Sequence, residues 1–302
     1  MLLIVFSMLI FAILPIVNGQ EHINIEDMKI IQNETFNEYT TMENLYVEVS
    51  KKSDTQLKNE GLTKEQIKQI KNYKEDFNNH IYKLNETYTD DQLKKLDYTD
   101  EQIKIIRNYD GSPESAKAVA AGVTIGLSGP AYLQQESNGN LSAVLSYTFS
   151  WSTEPYWKGF DGVGIGASGY PKTVEFDNRS QYTRATVNFY APLSGRTYTE
   201  NYTMNISAPG YSAHISSKFP MKRSSPPIND AYGKTGSGSV LVRTVIDPIA
   251  VNQYIKAQAT YGHQYVGGSF SIGIGNTGIG LSFTPSLVVD DEPSNIKTIN
   301  RR

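Results

Sequence analysis

The feature that most constrains this chain is a change of hydrophobic period near Asp110-Gly111-Ser112-Pro113. Before that point apolar residues recur at helical spacing; after it they alternate with polar ones. In Ser146-Tyr147-Thr148-Phe149-Ser150-Trp151 aromatic and hydroxyl residues alternate strictly. Tyr198, Glu200, Tyr202, Met204 and Ile206 alternate in the same way with Thr197, Thr199, Asn201, Thr203 and Asn205. A strand buries one face with that pattern, because its successive side chains point to opposite sides; a helix cannot.

The pattern predicts an α+β, multidomain chain: an N-terminal helical repeat region followed by an antiparallel β-sandwich or barrel. Strands are expected near 160–166, 172–177, 183–190, 211–216, 238–246, 254–260, 264–274 and 279–284, with a hairpin at Asn138-Gly139. Met221 to Lys234 reads as an irregular surface loop. The expected divisions are a signal peptide over 1–19, a flexible or partly helical segment over 20–52, and helical repeats over 53–110. A linker helix over 111–122, a β domain over 123–285 and a tail over 286–302 complete the chain.

The helical half contains a duplication. Ser53 to Tyr73 aligns without gaps to Thr89 to Tyr109, pairing Leu57 with Leu93, Thr63 with Thr99, Gln66 with Gln102, Ile67 with Ile103 and Ile70 with Ile106. An offset of 36 residues lies in the range of helical repeat units. Thr63 and Thr99 each precede a Gln at the third helical position, and Ser53 with Gln56 and Thr89 with Gln92 repeat that spacing. Each pair reads as a capping box. Gly61 suits a left-handed turn between two helices, and Asp97 fills the same slot less comfortably. Leu57, Leu62, Ile67 and Ile70 should form one apolar stripe, with Leu93, Tyr98, Ile103 and Ile106 as its copy.

Leu2 to Val17 is apolar except for Ser7 and ends in Val17-Asn18-Gly19, so cleavage is expected before Gln20, although no Lys or Arg precedes the apolar core. No later segment could span a membrane as a helix, and the mature chain is expected to be secreted, extracellular or at a cell surface. Cysteine is absent, which removes disulfides, thiolate nucleophiles and Cys-bound zinc. Residues 21–110 carry 19 acidic against 13 basic side chains and residues 111–302 carry 12 against 15. Neither half has the density of positive charge that a nucleic-acid partner requires.

Several catalytic spacings fail on inspection. Gly164-Ile-Gly166-Ala-Ser-Gly169 and Gly273-Ile-Gly275-Asn-Thr-Gly278 match a phosphate-binding spacing, but Tyr170-Pro171 and a strand-like run follow where a helix should begin. Both read as turns. Gly233-Lys234-Thr235 lacks its leading glycine, because residue 228 is Ile228, and Ser168 lacks the glycine of a nucleophile elbow at Tyr170. No pattern calls for a metal or cofactor. The segment Phe270 to Phe283 alternates apolar residues with Gly and Ser, like a membrane-inserting stem. Its arms are shorter than a spanning strand, so it reads as a half-buried sandwich hairpin.

Two places remain open. Tyr156 and Trp157 lie between Glu154 and Asp161, a combination of rings and carboxylates that suits a sugar. His263, between Tyr261 and Tyr265, could orient a ligand. Tyr156, Trp157, Asp161 and His263 are therefore the candidate ligand-binding residues. No convincing pair of carboxylates is spaced for glycoside hydrolysis.

Thr99-Asp-Glu-Gln-Ile-Lys-Ile-Ile-Arg-Asn-Tyr-Asp-Gly-Ser112, together with Ser146 to Trp151, Phe160-Asp-Gly-Val-Gly164 and Tyr261-Gly-His263, resembles secreted proteins of low-GC Gram-positive bacteria. Those proteins join short helical repeats to a β-rich C-terminal domain. The likeness covers residues 53–285 and implies secretion, with no activity to carry over. The expectation is a secreted, non-enzymatic protein whose β domain binds a cell surface, glycan or protein ligand. A membrane-active β-type toxin and a carbohydrate-active hydrolase are the alternatives.

Overall fold

A computed structural model describes residues 31–32, 36–208, 211–223, 231–250, 252–266, 270–275, 279–284 and 289–301. The expected leader lies outside them, as do His22 and Gly278.

Among the described residues six helices precede the main run of strands: α1 (Glu38–Ser50), α2 (Asp54–Asn59), α3 (Lys64–Thr87), α4 (Asp90–Lys95), α5 (Asp100–Arg107) and α6 (Pro113–Val119). All four capping boxes form. Ser53, Thr63, Thr89 and Thr99 each accept from the backbone N–H three residues on, and the Gln there bonds back to the cap. Gly61 (φ 94°) and Asp97 (φ 69°) take the left-handed turns. Every residue of the two expected stripes is buried, which is why these short helices hold to the layer beneath.

The copies then diverge. Phe77, Ile81 and Leu84 continue the stripe and carry α3 to Thr87. After Tyr109 the chain meets Gly111 (φ 74°), the Asp110 carboxylate accepts from Ser112 N–H at 3.0 Å, and Ser112 caps α6. Arg107 closes the gap between the units. Its guanidinium donates to the Asn85 carbonyl at 2.6 Å and the Tyr88 carbonyl at 2.6 Å, satisfying groups that the end of α3 leaves open.

The remaining strands begin with β1 (Ile31–Gln32) and β2 (Phe36–Asn37), which precede the helices. Next come β3 (Gly122–Ser128), β4 (Gln134–Gln135), β5 (Asn140–Trp151), β6 (Phe160–Tyr170), β7 (Val174–Phe176), β8 (Arg184–Ala191) and β9 (Arg196–Thr203). Then follow β10 (Asn205–Ser207), β11 (Ser212–Pro220), β12 (Tyr232–Val245), β13 (Tyr254–Gln264), β14 (Ser271–Ile274), β15 (Leu281–Thr284), β16 (Val289–Pro293) and β17 (Lys297–Asn300).

They form a nine-stranded antiparallel sheet, ordered β1-β3-β5-β12-β8-β9 with β2 also on β3, β4 on β5 and β7 on β12, and a six-stranded one, ordered β10-β11-β6-β13-β16 with β17 also on β13. The two sheets pack as a sandwich. Phe149 of β5 stacks on Phe219 of β11 at 5.5 Å and lies 4.7 Å from Tyr261 of β13. Burying each such ring stabilises the fold by about 1.5–3 kcal/mol. Met204, buried between β9 and β10, is where the chain crosses from one sheet to the other.

Several expectations change. Residues 31–50, expected to be flexible or partly helical, supply two short strands paired to β3 and then α1, whose N-cap is Asn37. Tyr232 to Lys234 belongs to β12 rather than to a loop, and of the strand expected over 264–274 Gln264 ends β13 while Ser271 to Ile274 form β14.

Gly164, Gly166 and Gly169 lie inside strand β6, not in a turn. A Cβ on Gly164 would meet the Ile215 carbonyl of β11 at 2.1 Å and one on Gly169 the Lys172 carbonyl at 2.4 Å, while Gly166 answers to a third layer. β14 and β15 form a separate two-stranded sheet instead of joining the sandwich. That hairpin sits on a floor of glycines: a Cβ on Gly166 would meet the Gly280 carbonyl at 2.1 Å, and one on Gly262 the Phe283 ring at 2.4 Å. Lys218 clamps the entry, donating to the Phe270 carbonyl with its ammonium 4.4 Å from that ring. Among the described residues no helix is long and apolar enough to cross a membrane.

Candidate functional site

The four candidate residues converge at the joint between the helices and the sandwich. Asp161 on β6 and His263 on β13 point into the interior, at 0% and 1% exposure. Asp161 Oδ1 is 2.9 Å from His263 Nδ1 and also accepts from the Gln264 backbone N–H at 3.2 Å. Its other oxygen accepts from the Tyr261 hydroxyl, which in turn accepts from Trp151 Nε1 at 3.0 Å.

On the far side of the imidazole stands Glu38, the first residue of α1. Its Oε1 is 3.6 Å from His263 Nε2. The same carboxylate accepts from the Trp157 N–H at 2.9 Å and the Tyr156 N–H at 3.1 Å, so it fixes the loop between β5 and β6. Burial alone would push His263 down; the attraction of Asp161 and then Glu38 outweighs it and holds the group up at about 9. Tyr261, buried beside the Asp161 charge, is raised well above its usual value.

Tyr156 and Trp157 turn toward α3. Trp157 stacks on Phe77 at 5.8 Å, and the Tyr156 ring lies 4.8 Å from that of His80. Burial, then the charges of Lys158 and Lys83, pushes His80 down to about 4, so it packs as a neutral ring. The rings expected to meet a sugar therefore pack on α3, while Asp161 turns inward to His263 and Tyr261. Glu154 is held by Lys158. Glu38 gave no local signal, since an acid just inside a helix start is ordinary and its contacts lie 118 residues away. Among the described residues no group of acids and histidines is placed to hold a metal.

The outer face of the nine-stranded sheet has a different character. In one row Thr124, Ser150, Thr235, Asn188 and Thr199 stand side by side across β3, β5, β12, β8 and β9. In the next stand Gly126, Thr148, Ser237, Thr186 and Asn201. A third holds Ser128, Ser146 and Ser239. Apart from Gly126, none of these residues is buried.

Their side chains bond to one another. Thr199 donates to Asn188 at 2.8 Å and Asn188 to Thr235 at 3.2 Å. Thr186 donates to Asn201 at 2.9 Å, and the hydroxyls of Ser146 and Ser239 are 2.8 Å apart. The alternation alone specifies strands; the alignment of their hydroxyls depends on register, which is a tertiary property.

No protein-family model matches the chain, and no curated protein matches it. Among solved structures it is similar to AvmM, which catalyzes macrocyclization in alchivemycin A biosynthesis, at 12% identity over 59% of this chain and 88% of that one, TM-score 0.28. It is also similar to the collagen-binding domain from a Staphylococcus aureus adhesin, at 11% identity over 57% and 93%, TM-score 0.24. Clostridium perfringens delta-toxin matches at 8% identity over 60% and 83%, TM-score 0.20. Likenesses of this size carry neither function nor mechanism to this chain.

Proposed function

We propose that this is an exported, non-enzymatic binding protein that holds an extracellular ligand on the outer face of its nine-stranded sheet. The observation that carries the reading is the uncovered array of hydroxyl and amide side chains on β3, β5, β12, β8 and β9. The opposite sheet has its outer face covered by β14 and β15. Asp161, His263 and Glu38, the groups best suited to acid–base chemistry, are buried and engaged in joining the helices to the sandwich. The apolar run ahead of Gln20 supports export.

The chain has no cysteine, so a single one can be labelled cleanly. A bulky maleimide on Thr148→Cys should abolish saturable binding to cells and isolated cell walls. The same adduct on Glu75→Cys, on the exposed side of α3, should leave it intact. Binding indifferent to the Thr148 adduct would refute the proposal.

A second reading, membrane contact by the β14–β15 hairpin, is favoured by one observation: the hairpin is a separate layer and not part of either sheet. Dye release from lipid vesicles by the full chain tests it, and intact vesicles would rule it out.

A further inference from the structure

We infer that the ligand held on this face is an extended, uncharged polysaccharide; the inference rests on the binding face proposed above. The first argument is charge. The rows running from Thr124 to Thr199 and from Gly126 to Asn201 contain only hydroxyls, amides and one glycine. The cations nearest their ends are Arg184, opposite Thr203, and Lys234, which is already paired with Asp97 at 2.7 Å. An anionic polymer needs Lys or Arg to replace its counterions, and these two rows hold none.

The second argument is polarity. Protein–protein interfaces are anchored by aromatic, Met and Arg side chains in a desolvated centre. Lipid contact needs an apolar face. Neither is present in these rows. A hydroxyl both donates and accepts, and an amide offers both functions on one planar group. A sugar ring presents the same pair of functions at every free hydroxyl, so the match is chemical and needs no ionised partner.

The third argument is order. Hydroxyls recur at every second residue along a strand and on each neighbouring strand, a two-dimensional repeat fixed by β geometry. The bonds Thr199–Asn188–Thr235, Thr186–Asn201 and Ser146–Ser239 hold the side chains in place before anything binds. Preorganisation reduces the entropy lost on binding. A repeating surface gains most from a repeating partner, in which each added unit meets another hydroxyl of the row.

Co-sedimentation of the full chain with chitin, cellulose and β-glucan particles tests the inference, with polygalacturonate beads and collagen fibres as the charged and protein arms. At least one neutral polysaccharide should retain the protein, and the affinity should be unchanged in high salt. Thr148→Lys with Ser237→Lys should weaken that binding about tenfold or more, since several hydrogen bonds are lost together. Thr199→Lys with Asn201→Lys, on the edge strand β9, is a second and independent disruption. An unaltered thermal transition shows that each variant is folded. Retention only by polygalacturonate or collagen, retention by no particle, or neutral binding indifferent to both pairs of lysines would overturn the inference. If the Thr148 adduct still blocks binding to cells while no neutral polysaccharide retains the protein, the face stands and the polysaccharide falls.

Discussion

Asp97 reaches across to the sandwich from a strained turn: its carboxylate accepts from the Lys234 ammonium at 2.7 Å while its own backbone is left-handed, φ 69°. In the equivalent turn of the preceding unit that conformation belongs to Gly61, which has no side chain to offer. Lys234 is the extra residue at the irregularity in β12, between Gly233 and Thr235, and its ammonium also lies 4.5 Å from the Tyr190 ring. The repeat gives up an easy turn residue for one that ties helices to sheet.

Asp97→Ala keeps the strain and loses the ion pair, whereas Asp97→Gly loses the pair and relieves the strain. The pair is part-exposed and worth about 0–1 kcal/mol; the left-handed conformation costs a non-glycine residue roughly 1 kcal/mol. Chemical denaturation should therefore rank Asp97→Gly above Asp97→Ala by about 1 kcal/mol. Equal stabilities would mean that the turn is unstrained.

His263 makes stability depend on pH. Its folded-state value, about 9, exceeds the ordinary 6.5, so the folded state binds the proton more tightly. The stabilisation is fully present below pH 6.5 and is lost as pH rises through 9, amounting to on the order of 3 kcal/mol for so buried a group. Thermal midpoints measured from pH 6 to 10 should fall across that window, and His263→Gln should flatten the fall. A wild-type midpoint constant from pH 6.5 to 9 would show that the imidazole is not held between the two carboxylates.

Glu38→Ala leaves the His263 cation facing one carboxylate and the Tyr156 and Trp157 amides without their acceptor. Removing one partner of a buried pair costs about 3–5 kcal/mol. Hydrogen exchange at those two amides should accelerate, while Glu38→Gln, which keeps an acceptor oxygen, should lie between. A chain beginning at residue 111 lacks Glu38, β1 and β2, and should melt well below the full chain. Equal melting temperatures would refute the joint's part in stability.

The glycine floor is testable by adding one methyl group. Gly262→Ala drives a Cβ into the Phe283 ring and should cost about 1–3 kcal/mol by overpacking. Gly61→Ala meets nothing within 4 Å and should cost only its backbone strain, roughly 1 kcal/mol. Dye binding to exposed apolar surface should rise in the first and not in the second.

Thr99→Ala removes the acceptor for the Gln102 N–H and should cost about 0.5–2 kcal/mol. Gln102 does more than return the bond to Thr99, because its amide also donates to the Ala118 carbonyl of α6 at 3.2 Å. Gln102→Ala should consequently loosen α6 as well, seen as faster exchange there, an effect that Thr99→Ala should not share.

Local signals read well where the physics is local. Capping boxes at Ser53, Thr63, Thr89 and Thr99 span three residues, and the apolar stripes follow from helical spacing, so both were visible in the sequence. The joint was half visible. Asp161 and His263 are in contact, and Tyr156 and Trp157 are tied to them through Glu38, but rings beside carboxylates have the same composition whether they line an open sugar site or a closed seam. Deciding between the two required Glu38 and Phe77, whose contacts are made only when distant segments pack. Gly164 and Gly166 lie in a strand and not in turns for a related reason: the smallness of Gly164 answers to Ile215 and Ser216 of β11, and that of Gly166 to Gly280 beside β15, more than a hundred residues later in the chain.

The chain contains two tryptophans, and both stand at the seam: Trp151 lies 4.7 Å from His263, and Trp157 stacks on Phe77. Tryptophan fluorescence of this protein is therefore a gauge of one place, the contact between helices and sandwich, and is silent about the third layer. Trp151 ends the strand that carries Thr148 and Ser150 on its opposite side. A ligand settling on those hydroxyls would press on the same strand from above, and any optical change it caused would measure how stiffly β5 transmits a push through the thickness of the sheet.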